Sequence, residues 1–134
     1  GVILPITDMP TAEQISREAV EQSRVATCHF LLDTGMGRLG ILPGEAEAVI
    51  CRSRQLPGLA CEGIYSHFPV AYRSGSEFTA SQIDAFLDLL GRLETRGISF
   101  GLRHMANSDA VNNFPRTYQA PFNAVRTGIN LHGL

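Results

Sequence analysis

The chain has 134 residues, 44% of them hydrophobic, enough for one ordinary domain with a real core and too few for two. Its 11 basic and 13 acidic residues are scattered and leave a net charge of -2, which excludes the basic stripe of a nucleic-acid binder and the acidic tail of a polyanion mimic. No run approaches the ~20 apolar residues of a membrane span, and the start lacks the basic-then-apolar pattern of an export signal, so neither membrane nor nucleic acid is expected as a partner.

Two further counts matter. Cys28, Cys51 and Cys61 are odd in number, have no C-x-x-C spacing and sit among apolar residues, the pattern of buried reduced thiols in a cytoplasmic protein. All eleven basic residues are arginines, so chemistry that needs a lysine Schiff base is impossible within this chain.

In chain order, residues 1–6 read as a short apolar strand. Thr11, with Gln14 three residues on, predicts a helix N-cap, and Ile15, Ala19 and Val20 form a stripe that carries the helix to about Arg24. Residues 25–32 are mostly apolar, as in a strand buried on both faces of a parallel sheet. A glycine-rich loop follows, and Leu42-Pro43-Gly44 opens a second helix that Pro57-Gly58 bounds. Residues 59–65 predict the next strand. Thr79 with Gln82 reads as a second capping box, and Ile83, Phe86, Leu87, Leu90 and Leu93 repeat at helical spacing until Gly97. Residues 99–105 predict a strand, residues 112–121 an irregular stretch with a helical turn, and residues 124–129 a fifth, short strand. Strict alternation of strand and helix means parallel strands joined by crossovers. Arg38, His67, His104, Asn107, Ser108 and Arg126 then all follow strands, on the face where such sheets bind ligands.

The loop Asp33-Thr34-Gly35-Met36-Gly37-Arg38-Leu39-Gly40 supports two readings. As Gly-x-Gly-x-x-Gly after a strand it imitates a dinucleotide fingerprint, which requires a helix starting among the glycines and an acid at the end of the next strand. Pro43 and Gly44 delay the helix, Arg38 sits inside the loop, and Glu62 falls within the next strand. The other reading is that the loop resembles a signature loop of alanine racemases. Gly63-Ile64-Tyr65-Ser66-His67-Phe68, the Thr-x-x-Gln-Ile-x-x-Phe spacing of residues 79–86, His104-Met105-Ala106-Asn107-Ser108 and Val125-Arg126-Thr127-Gly128-Ile129 resemble further segments of that family, in its order and over nearly the whole chain.

The resemblance implies a partial (β/α)8 TIM-type barrel of the α/β class, spanning residues 1–134 and holding about strands four to eight of the N-terminal barrel of a fold-type III pyridoxal phosphate enzyme. It implies phosphate contacts from Asn107, Ser108, Gly128 and Ile129. Arg126 matches the arginine aimed at the pyridine nitrogen, and because arginine keeps its proton, that nitrogen would stay mostly unprotonated and the cofactor a restrained electron sink. His104 matches a histidine orienting this arginine, and His67 one that packs along the ring and reaches toward a catalytic tyrosine of the partner subunit. Arg38 matches an arginine near the cofactor hydroxyl and the substrate carboxylate, both suited to a planar guanidinium. No metal is expected, since His29, His67, His104 and His132 lack close ligand spacing.

Three positions depart from the family pattern. Leu31 stands where a carbamate-bearing lysine commonly steadies the loop arginine, His132 replaces a usual tyrosine, and Pro69 follows Phe68 where alanine is common. The family's cofactor lysine and tyrosine base match no segment here, so the reading is an interior piece of an alanine racemase that lacks both catalytic bases and is inactive alone. The parent would be a cytoplasmic homodimer supplying D-alanine for peptidoglycan. The alternatives are a non-catalytic half-barrel that binds phosphate or self-associates, and a related fold-type III racemase acting on another amino acid. Five open strands would leave sheet edges inviting association.

Overall fold

The computed structural model describes residues 1–133, in which four strands alternate with four α-helices. Strands β1 (Leu4–Ile6), β2 (Ala26–Leu31), β3 (Leu59–Tyr65) and β4 (Leu102–His104) form one parallel sheet in sequential order. An order that never reverses distinguishes this sheet from the doubly wound nucleotide-binding type, whose ligand crevice lies where the strand order turns back. Helix α1 (Met9–Glu21) packs on α2 (Pro43–Ser53), and α2 on α3 (Glu77–Thr95), so the helices make one layer. That is the arrangement of a barrel wall.

The core lies between this layer and the sheet. Ile6, Phe30 and Ile64 occupy one register row across β1, β2 and β3 and are fully buried. Against them α3 sets Ile83, Phe86, Leu90 and Leu93, the stripe the spacing predicts. Cys28 is buried in this core, whereas Cys51 and Cys61 are half-buried; all three are unbridged. Between α2 and α3, Glu47 pairs with both Arg92 and Arg96. No helix of the described residues is long and apolar enough to cross a membrane.

Several boundaries differ from the sequence reading. α1 starts at Met9, not beyond Thr11: Asp8 is the N-cap, its carboxylate accepting from Thr11 N–H at 2.7 Å. α3 starts at Glu77 with Ser76 as cap, and the expected capping pair Thr79 and Gln82 is instead buried inside the helix, facing the sheet side. In both helices a polar residue three positions earlier takes the cap, because it stands before the first turn with extended backbone.

The fifth strand over residues 124–129 does not form. The chain does return alongside β4, with Asn123 N–H donating to Arg103 C=O and Arg126 N–H to Ala106 C=O. Where a ladder would need a backbone carbonyl, Asn123 offers its side chain: Oδ1 accepts from Arg103 N–H at 2.9 Å and Nδ2 donates to Gly101 C=O at 2.7 Å. Beyond it the backbone turns into a 3-10 turn, Ile129–His132. A short helix α4 (Ser108–Asn113) and another 3-10 turn, Pro115–Thr117, occupy the connection.

Candidate cofactor-binding site

At the C-terminal ends of the strands the glycine loop is a closed excursion. Leu32 bridges Ile41, with Ile41 N–H donating to Leu31 C=O and Asp33 N–H to Ile41 C=O, both at 2.9 Å. Inside the loop, Asp33 Oδ1 accepts from Gly35 and Gly37 N–H at 3.0 Å. Burial works against this carboxylate, yet the N–H groups of Gly37, Gly35, Met36 and Arg38 draw its pKa below the ordinary value. Gly40 has φ +128, and a Cβ there would lie 2.7 Å from Asp33 N, so the return of the loop admits only glycine.

A one-way hydrogen-bond chain ties this loop to its neighbours. Gln82 Nε2 donates to Thr34 Oγ1 and to His67 C=O, each at 3.3 Å. Thr34 and Ser66 share a 2.8 Å hydroxyl contact, and Ser66 donates to Leu32 C=O. Gln82 therefore joins α3 to the ends of β2 and β3, a stronger role than the cap assigned to it from spacing.

Beyond β3 and β4, the residues singled out in the sequence converge. His67, Asn107, Ser108, Arg126, Gly128 and Ile129, together with Asp109, line one cavity of about 270 Å³. Asn107 is the N-cap of α4, accepting from Ala110 N–H at 3.0 Å, and its Nδ2 donates to Phe68 C=O. That leaves Ser108 for the cavity. Its Oγ accepts from Gly128 N–H at 2.9 Å and Asn130 N–H at 3.2 Å. With both lone pairs engaged, its O–H is left as a donor. A Cβ at Gly128 would meet nothing within 4 Å, so this wall of the cavity is open backbone.

Arg126 is held by neutral acceptors and by no carboxylate among the described residues. Its NH2 donates to Ser66 C=O at 2.7 Å and Met105 C=O at 3.4 Å, and lies 3.4 Å from His67 Nδ1; its NH1 lies 2.5 Å from His104 Nδ1. Its Nε has no acceptor among the described residues. Burial lowers the Arg126 pKa from the ordinary value, and Tyr65 opposes the shift. Burial and then the charges of Arg126 and His29 bring His104 down to about 4, and His67 is lowered by burial, Arg126 and Arg38. Both histidines are neutral at pH 7.

Arg38 is not among these cavity residues. It lines a separate cavity of about 520 Å³ between the ends of β1 and β2, with Thr7, Asp8, Asp33 and Glu45. It forms no hydrogen bond or ion pair among the described residues, which accords with Leu31 standing where the family pattern has a steadying lysine. Two other residues escaped the sequence reading. Tyr65 stacks on His104 with ring centroids 4.9 Å apart at 9°, and the Arg126 guanidinium lies 4.9 Å over the same tyrosine ring. His29 Nδ1 lies 3.1 Å from His104 Nε2. Their strands read as continuous apolar runs, but Gly63 in mid-strand was a usable signal of close approach.

The parallel sheet with its single helix layer defines an α/β barrel wall with a cavity beyond the carboxyl ends of its strands, and the comparisons with known proteins agree with that fold. The model of the family "Alanine racemase, N-terminal domain" matches residues 1–134, and the chain belongs to that family. It is 42% identical over 135 residues to the alanine racemase of Desulforamulus reducens, covering 100% of this chain and 36% of that protein. To the alanine racemase of Clostridium tetani it is 42% identical over 123 residues, covering 91% of this chain and 31% of the relative. The structure of Clostridium difficile 630 alanine racemase in complex with cycloserine superposes with a TM-score of 0.89 at 28% identity, over 96% of this chain and 35% of that one. The chain thus spans about a third of the length of its relatives.

Proposed function

We propose that the chain supplies the pyridoxal phosphate cup of an alanine racemase and that the whole protein interconverts L- and D-alanine. The observation that carries this is the convergence, on one cavity, of six of the seven residues that the resemblance assigns to the cofactor, with free donors among them: the Ser108 O–H, the Arg126 Nε–H, and the N–H of Ile129, which as first residue of a 3-10 turn has no acceptor within it. A hydroxyl and backbone N–H groups suit a dianionic phosphate, which only accepts hydrogen bonds. Ser108 and Ile129 would hold that phosphate through their free donors, with Gly128 leaving the backbone open to it and Asn107 capping the helix beneath it, and Arg126, half-buried and permanently charged, would face the ring nitrogen. When bound, the cofactor supplies an electron sink that eases removal of the α-proton of an amino acid. His67 would flank the ring, His104 holds Arg126, and Arg38, nearer β1, would meet a substrate carboxylate.

The two bases that move the proton, a lysine and a tyrosine in the family pattern, lie outside this lysine-free chain. The whole protein would act as a cytoplasmic homodimer supplying D-alanine for peptidoglycan. Incubated with pyridoxal phosphate and L-alanine, the whole protein should release D-alanine and the isolated chain none. Turnover by the isolated chain would overturn this reading, as would a whole protein active on another amino acid and inert to alanine.

One observation favours self-association of the isolated chain. The free edge at β1 exposes Val2 by 78%, Ile3 by 47% and Leu4 by 37%, with Val25 beside them at 69%. Sedimentation should show oligomers; a monodisperse monomer would contradict it.

A further inference from the structure

The donors and acceptors on the inner face of the sheet balance in only one way. Arginine donates and never accepts, so His104 Nδ1, 2.5 Å from Arg126 NH1, must present a lone pair. A neutral imidazole with a bare Nδ1 carries its proton on Nε2, and that atom faces His29 Nδ1 at 3.1 Å. His29 Nδ1 is therefore the acceptor, and the His29 proton sits on Nε2. That nitrogen is buried and has no partner among the described residues. It rests over Gly63, where a Cβ would lie only 2.6 Å away. The ring, 6% exposed, thus fills the space of a missing side chain on the next strand.

We infer that His29 is a positioning residue for Arg126: by accepting from His104 Nε2–H it holds the ring from its far end and, together with Arg126, fixes the Nε2–H tautomer, so that His104 holds the guanidinium through Nδ1. Gly63 is the seat that lets the His29 ring reach it. A proton added to either ring would set two N–H groups against each other, His29 against His104 or His104 against Arg126. Burial of both rings and the charge of Arg126 resist this, Tyr65 is stacked on His104, and only Glu62 favours a charge on His29. The functional consequence rests on the proposed role of Arg126; the tautomer lock does not.

The test is long-range proton–nitrogen NMR of the histidine rings in the whole protein without cofactor, across a variant series. The wild type should show His104 bare at Nδ1 and protonated at Nε2. His29→Leu removes the acceptor that holds the Nε2 end, which frees the ring to turn away from Arg126 and should give a tautomer mixture. His29→Asn places a carbonyl oxygen where Nδ1 stands and should restore the single form. His29→Gln, whose amide sits at the Nε2 end, should behave like the leucine variant and answers the question if leucine does not fold. In the cofactor-loaded protein, kcat should be about fivefold lower in the leucine or glutamine variant than in the asparagine one, the factor of one neutral hydrogen bond. A wild-type His104 protonated at Nδ1, a single unchanged tautomer in both acceptor-less variants, or equal kcat across the series would overturn the inference. A protein that binds no pyridoxal phosphate would instead overturn the functional reading and leave the NMR result standing.

Discussion

On the helix-facing side of the sheet, Ile6, Phe30 and Ile64 form a row with no exposed surface. One residue along each strand, on the inner side, the register brings Pro5, His29 and Gly63 together, then Leu31, Tyr65 and His104. Because side chains alternate between faces, the same strands carry both sets. The outer row is apolar and close-packed against α3, and it holds the fold. The inner rows are aromatic and titratable, carry an orphan nitrogen at His29 Nε2, and lead to Arg126. The difference shows where this molecule keeps stability apart from chemistry, and each face should fail in its own way.

The largest effect is expected on the outer face. Phe30→Ala empties a fully buried aromatic site and should cost about 3–5 kcal/mol of unfolding free energy, read by urea titration, without altering the ring nitrogens of His104. A loss under 1 kcal/mol would mean that this row does not anchor the fold. Acid should expose the inner face next. The folded His104 value, about 4, lies below the ordinary unfolded value near 6.5, so between these pH values the unfolded chain binds the additional proton. Stability is therefore complete above pH 6.5 and falls as pH drops toward 4, by at most about 3 kcal/mol from this group. His29 and His67 are lowered as well and act in the same direction. Asp33 and Asp8, held below the carboxylate value, add losses only at lower pH. Unfolding measured at pH 7 and pH 4.5 should show the drop, and His104→Phe should shrink it.

Gly63→Ala attacks the seam between two strands on the inner face. The added methyl would fall within 2.6 Å of His29, and displacing the ring should cost about 1–3 kcal/mol while leaving the outer core intact. An alanine variant as stable as the wild type would show that the ring is not held there. The smallest effect is at the cup. Ser108→Ala removes the acceptor of two backbone N–H groups and should lower stability by about 1–2 kcal/mol, with a larger proportional effect on phosphate affinity.

The same contrast explains what could be read from the sequence. The α3 stripe and the parallel order were legible because apolar periodicity and strand–helix alternation are local signals. That the cavity residues would meet was legible because His67, Asn107 and Ser108 follow strands and Arg126 and Gly128 belong to a segment in the family's order, which the return of the chain alongside β4 brings to them. The caps at Asp8 and Ser76 were missed because Thr11 and Thr79 offered the same pattern three residues later. The fifth strand failed because the Asn123 side chain stands in for backbone pairing, a tertiary substitution with no periodic signature. Arg38 reads as part of the cup, but its loop opens toward β1 and into a different cavity. His29 and Tyr65 were hidden inside runs that look uniformly apolar, since burial of a polar ring depends on a partner 75 residues away.

The central claim is that the cavity around Ser108 and Arg126 receives the phosphate and ring of pyridoxal phosphate. The most direct measurement is a titration of the borohydride-free whole protein with pyridoxal phosphate and with pyridoxal, followed by absorbance, in the wild type and Ser108→Ala. The account predicts tighter binding of the phosphorylated form, with most of that preference lost in the alanine variant. Equal affinity for the two compounds, or a preference that survives Ser108→Ala unchanged, would contradict it.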